Sequence, residues 1–126
     1  VLFRSRAPDG QAARHDDQET TASVWITPRS ALEQYRDGLI DLAPPQIMSL
    51  AQLARHASVH SVMEQARHQA PPTILPEAFE DQGRRVICYP GDPLHSVRDC
   101  AMAGPTRLYQ RERRFLPEAG FDALFD

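Results

Sequence analysis

The sequence predicts a mixed α/β domain, of the α+β kind, built as a strand, two to three helices and a closing strand pair. Three observations predict it. Ala22, Val24 and Ile26 alternate at period two in a run rich in β-branched residues. Apolar residues then recur at helical spacing from Ala31 to Ala66. Two further β-rich runs, residues 84–89 and 105–111, close the chain. The 126 residues suffice for one domain and not for two.

The elements follow in order. Pro8-Asp9-Gly10 is turn chemistry, because proline presets φ and glycine permits a positive one. A strand runs through the residues before Ile26, and Trp25 is expected in core or interface packing. Thr27-Pro28 opens a helix: threonine caps free N–H groups, and proline suits the first helical position. Ala31, Leu32 and Tyr35 give its apolar face and Gly38 its end. Pro44-Pro45 opens a second helix with Ile47, Leu50, Leu53, Ala54 and Ala57 as its stripe. Ser58 caps a third with Val59, Val62, Met63 and Ala66, although a single bent helix fits the pattern too. Residues 77–83 read as an acidic loop. The strands at 84–89 and 105–111 are expected to pair across the turn Pro90-Gly91-Asp92-Pro93 and the connection that follows it. The tail, with Phe115, Leu116, Phe121, Leu124 and Phe125, is expected to pack back on the body.

Composition excludes some function classes. All fourteen basic residues are arginine, and the net charge is -3. Nucleic-acid binding draws on a surplus of positive charge to displace counterions, so nucleic acid is not an expected partner. No apolar run reaches the roughly 20 residues of a membrane helix. Two cysteines make no disulfide framework. A cytoplasmic address is the expectation.

Four groups of residues have chemical potential. Asp16, Asp17 and Glu19 are hard oxygen donors suited to Mg²⁺ or Mn²⁺; a solvated acidic loop, with His15 solvated beside it, is the simpler reading. His56, His60 and Glu64 would share one face of an unbroken helix and could bind zinc; a polar outer face is the simpler reading. Cys88 sits in an apolar strand and reads as a small core residue, in no metal or redox spacing with Cys100. Arg111-Glu112-Arg113-Arg114 reads as a solvated strand end and turn. Ser61 and Ser96 lie in no nucleophile elbow, and no glycine-rich phosphate cradle occurs. No complete catalytic constellation emerges.

One ordered set of segments resembles the C-terminal half of Nudix hydrolases. It comprises Arg6-Ala7-Pro8-Asp9-Gly10, then His15-Asp16-Asp17-Gln18-Glu19-Thr20-Thr21, then Trp25, Pro28, Ala31 and Leu32 in a W-x-x-P-x-x-A-L arrangement. Leu42-Ala43-Pro44-Pro45-Gln46 and Tyr89-Pro90-Gly91-Asp92 extend the resemblance to the subgroup that includes the peroxisomal coenzyme A diphosphatase of mammals and its bacterial relatives. The match runs from Arg6 to Leu116. It implies the C-terminal portion of a Nudix α/β/α sandwich over residues 6–126, with residues 1–5 a truncated or non-native start. It implies a parent enzyme that uses Mg²⁺ or Mn²⁺ to hydrolyse the pyrophosphate of a small nucleotide such as coenzyme A, and it admits a homodimer. The family's signature box, with its Arg-Glu-U-x-Glu-Glu core, is absent: Arg111-Glu112 is the one Arg-Glu pair, and Phe115 and Leu116 stand where the glutamates belong. No catalytic residue therefore transfers to this chain. Glu19 is the metal-ligand candidate, as some family members use a late carboxylate. A non-catalytic binding module derived from the same fold is the alternative.

Overall fold

The computed structural model describes residues 6–12 and 23–126. Three helices come first, α1 (Pro28–Arg36), α2 (Pro44–Ala54) and α3 (Val59–His68). Four strands follow, β1 (Glu77–Asp81), β2 (Arg84–Cys88), β3 (Arg107–Arg111) and β4 (Arg114–Leu116), and a short 3-10 helix, Phe121–Leu124, ends the chain. The architecture is mixed α+β, as the hydrophobic patterning implies.

The helix starts are those the sequence spells out. Thr27 accepts the Ser30 N–H through its side chain at 3.2 Å, and Pro28 takes the first turn. At α2 the Gln46 side chain reaches back to the Ala43 N–H at 2.8 Å. Ser58 caps α3 by accepting the Ser61 N–H at 3.2 Å. Gly38 follows α1 with φ +78°, the left-handed turn that glycine adopts without a Cβ clash. Helices α2 and α3 are separate, so the single bent helix is not formed.

The strands form one antiparallel meander in the order β1-β2-β3-β4. The expected β2–β3 pairing is present, with Ile87 opposite Leu108 and Cys88 opposite Arg107. One expectation needs correction. The stretch 77–83 is a strand and hairpin turn, not a loop: β1 pairs with β2 along its whole length, and Asp81 faces Arg84 across a two-residue connection. The charge run at Arg111 to Arg114 is the expected strand end and turn, a tight hairpin through which β4 pairs with β3.

Alternation divides the sheet into two faces. Ile87 and Leu108 lie on the face that receives Leu32 and Tyr35 of α1, Ile47, Met48 and Ala51 of α2, and Leu124 of the tail. Val86, Cys88 and Tyr109, with Phe79 against them, form a smaller cluster on the other face. Tyr35 ties helix to sheet: its hydroxyl donates to the Phe115 carbonyl at 3.0 Å and accepts the Phe115 N–H at 2.8 Å. The tail packs back as expected, and Arg55 at the end of α2 donates to the carbonyls of Leu124 and Asp126.

The expected strand before α1 is not formed where it can be seen. Ser23 to Thr27 has no strand pairing, and Val24 and Trp25 are 76% and 77% exposed. A strand needs a neighbour to take its N–H and C=O groups, and none of the four strands pairs with this stretch. Residues 19–22 of that expectation lie outside the described residues. Helix α3 is the other exception to burial: its apolar stripe is present, yet none of its residues is buried.

Candidate functional site

The polar residues that the fold does bring together lie at the loop between β2 and β3. The turn after Tyr89 closes through the Asp92 N–H on the Tyr89 carbonyl and the His95 N–H on the Asp92 carbonyl. Asp92 then accepts the Leu94 N–H at 2.9 Å, an aspartate turn that fixes its carboxylate inward. Strand alternation puts Arg107 and Tyr109 on the Val86–Cys88 face, beside that carboxylate.

Arg107 grips Asp92 with two parallel bonds, Nη2 to Oδ1 at 2.7 Å and Nε to Oδ2 at 2.9 Å. The Thr106 hydroxyl adds a third donor to Oδ2. The free edge of the guanidinium meets the Tyr109 hydroxyl at 3.1 Å, and that hydroxyl donates to Asp81 Oδ2 at 2.9 Å. Arg84 lies over the Tyr109 ring, 4.3 Å from its centre. The cluster therefore links β1, β2, β3 and the loop.

Asp92 is 2% exposed. Burial alone would raise its carboxyl, but the Arg107 and Leu94 hydrogen bonds hold it below the usual carboxylate range. The same pairing, first with Asp92 and then with Tyr109, holds Arg107 more firmly charged. Burial, and then the Asp92 carboxylate, push the Cys88 thiol up to about 11. A thiol so displaced carries little thiolate at neutral pH, which suits a core residue and not a nucleophile.

A second polar group clasps the same loop to β1. His95, also 2% exposed, donates from Nε2 to the Leu75 carbonyl at 2.8 Å and accepts the Val97 N–H at Nδ1 at 2.9 Å. Glu77 accepts from the Ser96 N–H at 3.0 Å and from the Ser96 hydroxyl. Those two bonds hold the Glu77 carboxyl below its ordinary range.

On the helix-covered face, a shallow groove of about 250 Å³ opens between the start of α2 and the sheet. Pro44, Pro45, Pro76, Ile87 and Phe115 line it, with Arg85 as its cation. It is an apolar wall with one charge and no acid–base pair.

The residues singled out in the sequence fare differently. His15, Asp16, Asp17 and Glu19 lie outside the described residues. His56, His60 and Glu64 do not converge: His56 sits in the α2–α3 connection, and Glu64 pairs with Arg67 at 2.6 Å. His56 instead meets Ser61 Oγ at 2.8 Å and Gln65 Oε1 at 2.9 Å. A neutral amide holds the ring where a base would need a carboxylate, so this trio closes the helix junction. Among the described residues no group of three or more His, Cys, Asp or Glu side chains is placed to hold a metal ion. No helix among them is long and apolar enough to cross a membrane.

Asp92, His95, Arg107 and Tyr109 were not singled out in the sequence. One signal does point to them. An arginine on the apolar face of an alternating strand needs a buried carboxylate, and the nearest turn supplies Asp92. Comparison of the chain with protein-family models, with curated proteins and with solved structures gives no match.

Proposed function

We propose that this chain is the C-terminal part of a Nudix-type hydrolase of the coenzyme A diphosphatase kind. The parent would act in the cytoplasm on a small nucleotide with a pyrophosphate linkage, as a monomer or homodimer. One observation carries the reading: the resembling segments occur in order, and three of them coincide with structural punctuation. Trp25 to Leu32 spans the start of α1, Leu42 to Gln46 opens α2, and Tyr89 to Asp92 makes the turn after β2. The absent signature box is consistent with the lack of a catalytic group among the described residues.

In such a parent, Mg²⁺ or Mn²⁺ would supply the positive charge that offsets the pyrophosphate and makes water a better nucleophile. The described residues do not fit that metal, since no carboxylate cluster is present among them. Their contribution is to packing and to the substrate pocket wall, for which the groove beside Arg85 is the candidate surface. A non-catalytic binding module of the same fold is the second reading. It is favoured by the pairing of Asp92 and Arg107 with each other and not with a cavity.

The test compares the isolated 126 residues with the chain extended upstream in its own reading frame. Hydrolysis of coenzyme A and ADP-ribose is followed with and without Mg²⁺. The extended chain should turn over substrate and the isolated chain should not. Turnover by the isolated chain, or an inactive extension lacking the signature box, overturns the proposal.

A further inference from the structure

The hydrogen bonds of His95 define its protonation state. Nδ1 accepts from the Val97 N–H, so it carries no proton; Nε2 donates to the Leu75 carbonyl, so it carries one. The ring is buried and neutral, and both nitrogens are used. Val97 in turn accepts the Gly91 N–H through its carbonyl at 3.0 Å. Gly91 lies so close to Cys100 that an added Cβ would fall 2.9 Å from the Cys100 Cα. One imidazole thus holds Val97, and Val97 holds the turn that precedes Asp92.

We infer that His95 is a pH-sensitive latch for the loop between Asp92 and Val97. Addition of a proton to Nδ1 turns an acceptor into a donor. The Nδ1–H then points at the Val97 N–H, two donors face each other, and the Val97 bond cannot persist. The Nε2 side is unaffected, because that nitrogen donates in both states. The loop should therefore open at Val97 while remaining tied at Leu75.

The charges around the ring do not cancel this. From β1, Glu77 Oε1 stands 3.8 Å from Nε2 and attracts an imidazolium. That carboxylate is already held by Ser96, and it faces the nitrogen that keeps its bond. Within the loop, Asp92 is bound by Arg107 of β3, and Arg98 donates to the Pro93 carbonyl. Among the described residues no carboxylate is recorded in contact with Nδ1, where the new proton would sit. Opening would also release the side chains beside the latch. Leu94 and Val97 are already half exposed, and Leu75 is 70% exposed, so opening the loop would expose more apolar surface there.

This latch does not depend on the hydrolase reading. Its test is amide hydrogen exchange on the isolated chain between about pH 8 and pH 5, with each rate expressed as a protection factor. The ring ¹⁵N shifts of His95 report its protonation in the same samples. As His95 takes up its proton, protection at Val97 should fall about tenfold or more, the scale of one lost buried hydrogen bond. Leu108 in the sheet should stay protected. His95→Gln should remove the pH dependence at Val97, whatever its effect on overall stability. A ring that stays neutral down to about pH 5, unchanged protection at Val97 on ring protonation, or an equal fall at Val97 and Leu108 from global unfolding overturns the latch.

Discussion

The sheet and the helical side of the molecule are built on different terms. In the sheet, every strand is paired, and the charged residues on its smaller face answer one another: Arg107 with Asp92, Tyr109 with Asp81. On the helical side, α1 and α2 each bury three residues, but α3 buries none, and Val24 and Trp25 ahead of α1 lie in solvent. An apolar stripe is therefore not enough to place a helix in a core. α1 and α2 are held because Leu32, Tyr35, Ile47 and Met48 meet Ile87 and Leu108. α3 has the same periodicity, but Val62 and Met63 are only half-buried and Val59 and Ala66 are exposed. The difference predicts where substitutions cost stability.

The largest effect should come from the layer where helices meet sheet. Leu108 is fully buried between β2 and β4 and contacts the helix-covered cluster. Leu108→Ala removes its transfer energy and leaves a cavity that the paired strands cannot close. A loss of about 4 kcal/mol in urea denaturation is expected. A loss below about 1 kcal/mol would mean that the two layers are not packed as described.

The next effect should come from the ion pair, and it should depend on pH. Asp92→Asn keeps the shape but turns one oxygen into an amide donor facing the Arg107 donors. A loss of about 3 kcal/mol is expected, because a partly buried guanidinium is left short of a partner. The sign follows from the depressed Asp92 pKa: its stabilisation is present above the unfolded carboxyl value of roughly 3.9 and disappears as pH falls through the lower folded value. The wild-type chain should therefore lose stability as pH drops below about 4, and Asp92→Asn should flatten that part of the profile. Parallel profiles for the two chains would show that Asp92 is not the group responsible.

Much of the helical half was legible because its signals are local. Thr27-Pro28, Pro44-Pro45 and Ser58 mark helix starts through their own side chains, with no help from distant residues. The buried face of α2 was partly so: Ile47 is buried and Leu50 packs against the core as expected, whereas Leu53 and Ala54 are half-buried, Ala57 is exposed, and Met48 and Ala51 are buried instead. Where the sheet sits, not the periodicity of α2, decides that rotation. β1 was missed because Glu77, Glu80 and Asp81 look like a solvated loop. As an edge strand it tolerates them, and two of them are used by Ser96 and Tyr109. Its turn, Gln82-Gly83, has positive φ at both residues but lacks the usual Asn-Gly signal. The Asp92–Arg107 site left only one faint signal, an arginine on an apolar strand face, for a different reason. Its partners are 15 residues apart, and only the pairing of β2 with β3 makes them neighbours.

The smallest effect should come from α3, and it is the sharpest test of the contrast. Val59 opens that helix at 58% exposure, so Val59→Ser removes an apolar side chain that is mostly in water. Serine and valine also differ little in helix propensity, and the Ser58 cap is untouched. A change within about 0.5 kcal/mol is expected in the same urea series that reads Leu108→Ala. A loss several times larger would show that the α3 stripe is covered in the folded chain. The covering surface would then have to come from residues outside those described or from a second copy. A concentration-dependent midpoint would identify the second copy, since self-association stabilises by mass action. A concentration-independent one would point to the chain itself.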